Sequence, residues 1–301
     1  MPATIRVHRP FSLARRAVAS GALALALSAC GGSSGSEPSE PSEPSTSSAS
    51  ESATEVSGEE AAAALQDAVD ATLAARAFGV EGDAALTIAD QDLALRSSGD
   101  VDYDAVIADL SLSVEQPGQS SQISVLADGE NLWAMVEGAN APTLPPGVSW
   151  IEGQADRLGA SSAFEPSGVL GVVLVLRGSS EAEVSGTDEV DGVPVTEYTT
   201  TLTYDDALAG VGPDADALQS AFSLTGAASS LPFDVTVAVG EDGVVRDLDL
   251  QLDGGDVPAD GTYTLALRDV GTTPEPPEAP APATVLTGAA AETLLDQLIQ
   301  P

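Results

Sequence analysis

The feature that most constrains this chain is a period of two. Val106, Ala108, Leu110, Leu112 and Val114 alternate with Asp109, Ser111, Ser113 and Glu115. Leu86 and Ile88 flank Thr87, and Ile123, Val125, Leu132 and Val136 continue the pattern. Successive side chains on a strand point to opposite faces, so each run has one apolar and one polar side. That describes antiparallel strands wetted on one face. Pro117-Gly118 is placed for a type II turn between two runs, and Asp128-Gly129 makes another. The alternation returns later. Glu181–Thr187 and Val193–Tyr204 read as a hairpin about Asp191-Gly192. Phe233, Val235, Val237 and Val239 meet Val244, Leu248, Leu250 and Leu252 across Asp242-Gly243, a strong hairpin signal. Tyr263, Leu265 and Leu267 close the series.

Other stretches break this rhythm. Residues 59–78 read as a helix, with Glu59 and Glu60 in the first turn, where the helix dipole favours acids, and with Leu65, Val69 and Leu73 on one stripe. Gly79 is the expected stop. Pro142, Pro145, Pro146 and Gly147 mark a loop, and Trp150 follows in a short extended piece. From Pro166 the chain runs PSGVLGVVLVLRG, apolar on every side. Periodicity cannot separate a buried helix from a buried strand here, and the leading proline favours the helix. Pro213–Ser223 reads as a second short helix, 271–283 as a proline-rich crossing, and Ala289–Ile299 as a terminal helix. The order is helix, about five strands, buried insertion, hairpin, short helix, three strands and tail. The expected class is α+β, with one large antiparallel sheet and helices on one face.

The N-terminus gives an address. Arg6, Arg9, Arg15 and Arg16 precede an apolar run from Ala17 to Leu27, and Leu27-Ser28-Ala29-Cys30 has the form of a lipoprotein cleavage box. The run is about 11 residues, too short to span a bilayer as a helix. Residues 1–29 are therefore expected to be a signal peptide, with Cys30 as the acylated N-terminus of the mature chain. Arg15-Arg16 fits either a twin-arginine signal or an ordinary basic region. Residues 30–58 follow as a tether built on SEPSEPSEPS, in which nothing can form a core. As a coil it reaches roughly 30 Å from the membrane. Its serines and threonines leave glycosylation open. Residues 59–301 form the expected folded domain.

Composition excludes much chemistry. There is no lysine, and four of the ten arginines lie before Cys30, leaving six basic residues against 47 acids. Such a chain is repelled by nucleic-acid phosphates and by anionic headgroups. The one histidine, His8, leaves with the signal peptide, and lipidation uses the one cysteine. The mature chain then lacks the parts of Ser-His-Asp, Cys-His, Ser-Lys and Schiff-base catalysis, of a P-loop, and of a His/Cys zinc site. Asp100, Asp102 and Asp104 have the opening spacing of a calcium loop, but its sixth and twelfth positions are Ala105 and Ser111 rather than Gly and Glu. Paired carboxylates for glycoside hydrolysis stay open among so many acids, and no pair is marked. No metal and no cofactor is expected, and the chain is not expected to be an enzyme.

Several local marks together resemble a known family. They are GDVDYDA (Gly99 to Ala105), DGENLWAMVEG (Asp128 to Gly138), VSWIEG (Val148 to Gly153), VDGVPVTEYTTTLTYDDAL (Val190 to Leu208) and LPFDVTVAVGEDGVVRDLDL (Leu231 to Leu250). With the cleavage box, the polar tether and the alanine-rich first helix, they resemble the LppX/LprG-type lipoproteins of actinobacteria over roughly residues 59–290. The chain departs from that family at Val239-Gly240, where a tryptophan is frequent. The resemblance implies a LolA-like half-barrel: a curved antiparallel sheet with helices on its concave face, an apolar cavity between them, and an acylated lipid or glycolipid as cargo. It implies a monomer on the outer face of the cytoplasmic membrane, with an envelope protein as a further partner.

Trp133, Met135, Trp150, Phe164, Leu170, Val173 and Leu174 are the expected cavity residues, although Trp133, Met135, Trp150 and Phe164 taken singly read more readily as ordinary core. Trp133 and Met135 lie on the strand face opposite Leu132, Ala134 and Val136, so both faces of that strand are partly apolar. Two other readings stand beside the carrier. One is a non-catalytic envelope module with a filled core and an exposed apolar patch. The other is a carboxylate hydrolase with two close acids, one with a raised pKa.

Overall fold

The first helix, α1 (Gly58–Ala74), starts where a capping box can form. The Ser57 hydroxyl accepts from the Glu60 amide, and the Glu60 carboxylate accepts from the Ser57 amide. Ala61, Ala62, Leu65, Ala68, Val69 and Thr72 are its buried face. It ends at Ala74, four residues short of the expected end at residue 78. Phe78 is taken instead by the first strand, where it is 1% exposed. Gly79 is not a helix cap but a mid-strand residue, and a Cβ there would lie 2.8 Å from Asp100 Oδ1.

A computed structural model describes residues 56–88, 91–139, 141–158, 169–212, 215, 218, 232–253 and 259–299. The expected signal peptide, the tether up to residue 55 and most of the expected Pro213–Ser223 helix lie outside the described residues. Twelve strands form one open, curved, mostly antiparallel sheet. They are β1 (Ala77–Ile88), β2 (Gln91–Asp102), β3 (Ile107–Gln116), β4 (Gln119–Asp128), β5 (Asn131–Gly138), β6 (Trp150–Gln154), β7 (Glu183–Val190), β8 (Val193–Thr203), β9 (Pro232–Gly240), β10 (Val245–Asp253), β11 (Ala259–Arg268) and β12 (Val285–Leu286). Their order is β12-β6-β5-β4-β3-β2-β1-β11-β10-β9-β8-β7. Two meanders, β1–β6 and β7–β11, therefore meet where β1 pairs with β11.

The turns are those that residue chemistry favours. Gly118 has φ of 79°, and Asp191 and Gly192 have φ of 50° and 82° in the two-residue loop between β7 and β8. Three differences from the sequence reading have local causes. The piece at Trp150 is a sixth strand paired with β5. The proline-rich crossing ends in β12, which runs parallel to β6. The strand expected to reach Tyr204 stops at Thr203, because Thr203 and Asp206 form a second capping box and open α2 (Tyr204–Val211).

The insertion is helical but tighter than an α-helix: Gly171–Gly178 is a 3₁₀ segment, with Gly171 to Leu176 all buried. The C-terminal helix, α3, spans Ala289–Ile299, as expected. Leu65 and Val69 of α1, Val173 and Leu174 of the 3₁₀ segment, Ala207 of α2 and Leu295 of α3 join one hydrophobic cluster with Val80, Leu110, Val125, Val237 and Leu265 of the sheet. These three helices and the 3₁₀ segment thus pack on one side of the sheet.

Candidate ligand-binding face

Strand register sorts every sheet residue onto one of two faces. Val80, Gly99, Leu110, Val125, Ala134 and Ile151 are successive partners across β1–β6, and all point toward the helices. In this row the non-glycine residues are 0–6% exposed. The next inner row holds Gly82, Ser97, Leu112, Ile123 and Val136, and the row after it Ala84, Leu95, Val114, Ser121 and Gly138. Leu86 and Leu93 pair beyond these.

Here the packing changes. Leu86, Leu93, Leu95, Leu112, Val114 and Val136 lie on the helix side of the sheet but outside the hydrophobic cluster. Leu95, Leu112 and Val114 are half-buried, whereas Leu86, Leu93 and Val136 are buried, at 8–9% exposure. The strip runs about 13 Å along the strands and about 19 Å across β1–β5, from the ordinary rise and spacing of a sheet.

Two hydroxyls border it. A Cβ built on Gly82 would meet Ser97 Oγ at 2.5 Å and Tyr263 Oη at 3.4 Å, so both converge over that glycine. Burial first, and then the charge of Asp83, pushes the Tyr263 hydroxyl up to about 12, so it keeps its proton at neutral pH and can donate to a carbonyl. An open depression of about 520 Å³ lies at this end of the sheet, mostly on its outer face, where Ala85, Thr87, Asp92, Glu115 and Asp260 line it; Leu86 and Leu93 reach it from the inner side.

The expected cavity residues do not come together. Leu170, Val173 and Leu174 are fully buried in the cluster. Trp133, Met135 and Trp150 point the other way, because their inner-face neighbours are Leu132, Ala134 and Ile151. Phe164 lies outside the described residues. Trp133, Met135 and Trp150 are therefore separated by the sheet from Leu170, Val173 and Leu174. Apolar character alone does not distinguish the two faces of a strand; register does.

Trp133 is 4% exposed although it faces away from the core, and its indole donates to Glu152 Oε2 at 3.3 Å on the adjacent strand. Ile107, also on the outer face, is 9% exposed. Both lie between the two pins of the proline-rich crossing. At one end the Thr273 hydroxyl donates to Asp102 Oδ2 at 2.6 Å, and at the other the Ser149 amide donates to the Thr284 carbonyl at 2.9 Å.

The acids have structural partners. Asp102 Oδ1 accepts from the Asp104 and Ala105 amides at 2.9 Å each, closing the turn between β2 and β3. Burial pushes this carboxyl up, but the bonds from Thr273, Ala105 and Asp104 and the charge of Arg76 outweigh burial and leave it below the ordinary carboxylate value. Asp100 and Asp109 pair across β2 and β3 on the outer face, and burial, with the charge of Asp100, raises Asp109. That pair lies on a sheet surface. Among the described residues no three His, Cys, Asp or Glu side chains gather as a metal site, and no helix is long and apolar enough to cross a membrane.

The sequence reading named Leu112 and Val114 only as part of an alternating run and missed them as a site. Their nearness to the Pro117-Gly118 turn was the available signal, since it puts them at the strand ends away from the core row.

No family model and no curated protein matches the chain. Among solved structures, it is similar to the lipoprotein LppX of Mycobacterium tuberculosis, at 16% identity over 71% of this chain and 97% of that one, with a TM-score of 0.40. It is similar to LprF from Mycobacterium bovis, at 13% identity over 74% and 98%, with a TM-score of 0.42. A LolA superfamily protein from Nitrosomonas europaea has 8% identity over 80% and 97%, with a TM-score of 0.19. LppX is of the type that the sequence resembles.

Proposed function

We propose that this chain is a lipid-anchored, non-enzymatic protein of the cell envelope that binds an acylated lipid or glycolipid on the concave face of its sheet. The observation that carries the reading is the apolar strip on the helix side of β1–β5, outside the hydrophobic cluster, where Leu95, Leu112 and Val114 remain half-buried. Apolar floors bordered by a few polar groups suit ligands with long hydrocarbon parts. Ser97 and Tyr263 supply hydroxyls for an ester or a sugar. Cys30 is the proposed anchor, as a diacylglyceryl cysteine on the outer face of the cytoplasmic membrane, with the tether carrying the domain clear of it.

The test is mass spectrometry of copurifying lipid. The chain is exported from an actinobacterial host with Cys30→Ser, purified folded, and extracted with organic solvent. About one defined lipid per protein is the expected result. A folded, lipid-free protein that takes up no acyl probe overturns the reading. It would support a second one, an envelope interaction module with a filled core, which the complete burial of Gly171 to Leu176 within the cluster favours.

A further inference from the structure

β7 ends the sheet, and no described strand pairs with its far side. Its loop to β8 has two residues, Asp191 and Gly192, both with positive φ. In such a hairpin the residues flanking the loop, Val190 and Val193, form a hydrogen-bonded pair. Hydrogen-bonded and non-bonded pairs then alternate along an antiparallel ladder. Glu189 and Thr187 fall in the non-bonded positions, so their N–H and C=O groups point away from β8. Pro194 lies opposite Glu189, where β8 needs no donor toward β7.

This edge is open. Glu183, Val184, Ser185, Thr187, Asp188 and Glu189 are exposed. Among the described residues only Val56, at 50%, and Val184, at 41%, are large hydrophobics in the exposed class. They sit within two residues of one contact, the bond from the Ala182 amide to the Gly58 carbonyl at 3.1 Å. Glu183, Asp188 and Glu189 make the edge acidic, and no Lys or Arg occurs between Arg177 and Arg246. Like charges meeting across a ladder destabilise it, so these acids oppose edge-to-edge pairing of two copies. They favour an incoming strand of the opposite charge.

We propose that β7 is a docking edge for an extended segment of a partner protein that carries Lys or Arg at alternate positions and adds to the sheet as a further strand. Thr187 and Glu189 supply main-chain donors and acceptors, Glu183 and Asp188 on one face supply charge to the alternate cations, and Val184 on the other face supplies an apolar contact. The site is separate from the lipid strip, which lies on β1–β5.

The test is amide hydrogen exchange on the full chain bearing Cys30→Ser, with and without the heptapeptide Lys-Val-Lys-Thr-Lys-Val-Lys. Exchange at Thr187 and Glu189 is expected to slow at least tenfold, and a peptide with Glu in place of Lys is expected to slow neither. Methylating alternate peptide nitrogens removes the strand's own donors and is expected to abolish the protection, a result that needs no protein variant. Asp188→Lys with Glu189→Lys is expected to weaken binding at least tenfold. Peptide binding without protection on β7 would mean diffuse attraction to an acidic surface and would overturn the proposal. Equal protection by the methylated peptide, or unchanged binding to the double variant, would overturn it too.

Discussion

Replacing Leu112 by aspartate tests the apolar strip directly. Leu112 is half-buried on the inner face of β3, outside the hydrophobic cluster. In the free protein the new carboxylate keeps part of its hydration, so the fold survives: the expected loss of about 1–2 kcal/mol is small beside the 5–15 kcal/mol typical of domain stability. A bound acyl chain would remove that remaining water. Covering the exposed half of a leucine stabilises binding by about 1 kcal/mol. Enclosing a polar group against hydrocarbon instead costs about 1–3 kcal/mol, and more for a charge. Together these give about 3 kcal/mol, or more than a hundredfold in affinity. Titration with a pyrene-labelled acyl probe reads this change. Ser111→Asp is the control, one residue away on the opposite face, and should leave affinity within twofold. Val173→Asp is the contrast, a charge placed at a fully buried position, and should fail to fold. A folded Leu112→Asp protein that binds the probe like wild type, or equal losses from Ser111→Asp, would refute the assignment of the strip.

The fold offers further checks. Thr72 Oγ1 donates to the Ala68 carbonyl at 2.6 Å and accepts from the Val245 amide at 3.0 Å, joining α1 to β10. Thr72→Val keeps the shape but leaves that buried amide unpaired, at about 1–3 kcal/mol. Melting should fall by about 2–4 °C for each kcal/mol, with faster exchange of the Val245 amide. Asp102 has a depressed pKa, so its stabilisation is full above the unfolded value of about 3.9 and is lost as pH falls through the lower folded value. Below about pH 4, wild-type melting should therefore fall more steeply than that of Asp102→Asn; parallel curves would show that Asp102 does not pin the crossing. At Gly178 a Cβ would lie 2.5 Å from the Ala207 nitrogen, so Gly178→Ala should destabilise by about 1–3 kcal/mol or more and loosen α2, read by circular dichroism melting.

Much of the sheet was legible because its two sides meet different media. Leu110, Leu112 and Val114 alternate with Asp109, Ser111 and Ser113 because one side meets helices and the other water. The same logic placed Trp133 and Met135 opposite Leu132 and Ala134. Local capping was overlooked at both Ser57 and Thr203; at the second, the threonine-rich run Thr199–Thr203 reads as strand and hides a Thr-x-x-Asp box. The 3₁₀ segment could not be typed, since a stretch buried on every side carries no period.

Strand neighbours were the larger gap, because pairings such as Val80 with Leu267 join residues far apart in sequence. Without them, Trp133 looks like a ligand contact. With them, it lies on the outer face between the pins of a proline-rich crossing. The site follows the same rule. Leu110 and Leu112 are the same residue type on the same face of one strand. Leu110 stands in the last row covered by the helices, and Leu112 in the first row outside the cluster that they form with the sheet. Which of two like residues on one face joins the cluster depends on what packs over it, so only tertiary structure separates core from floor.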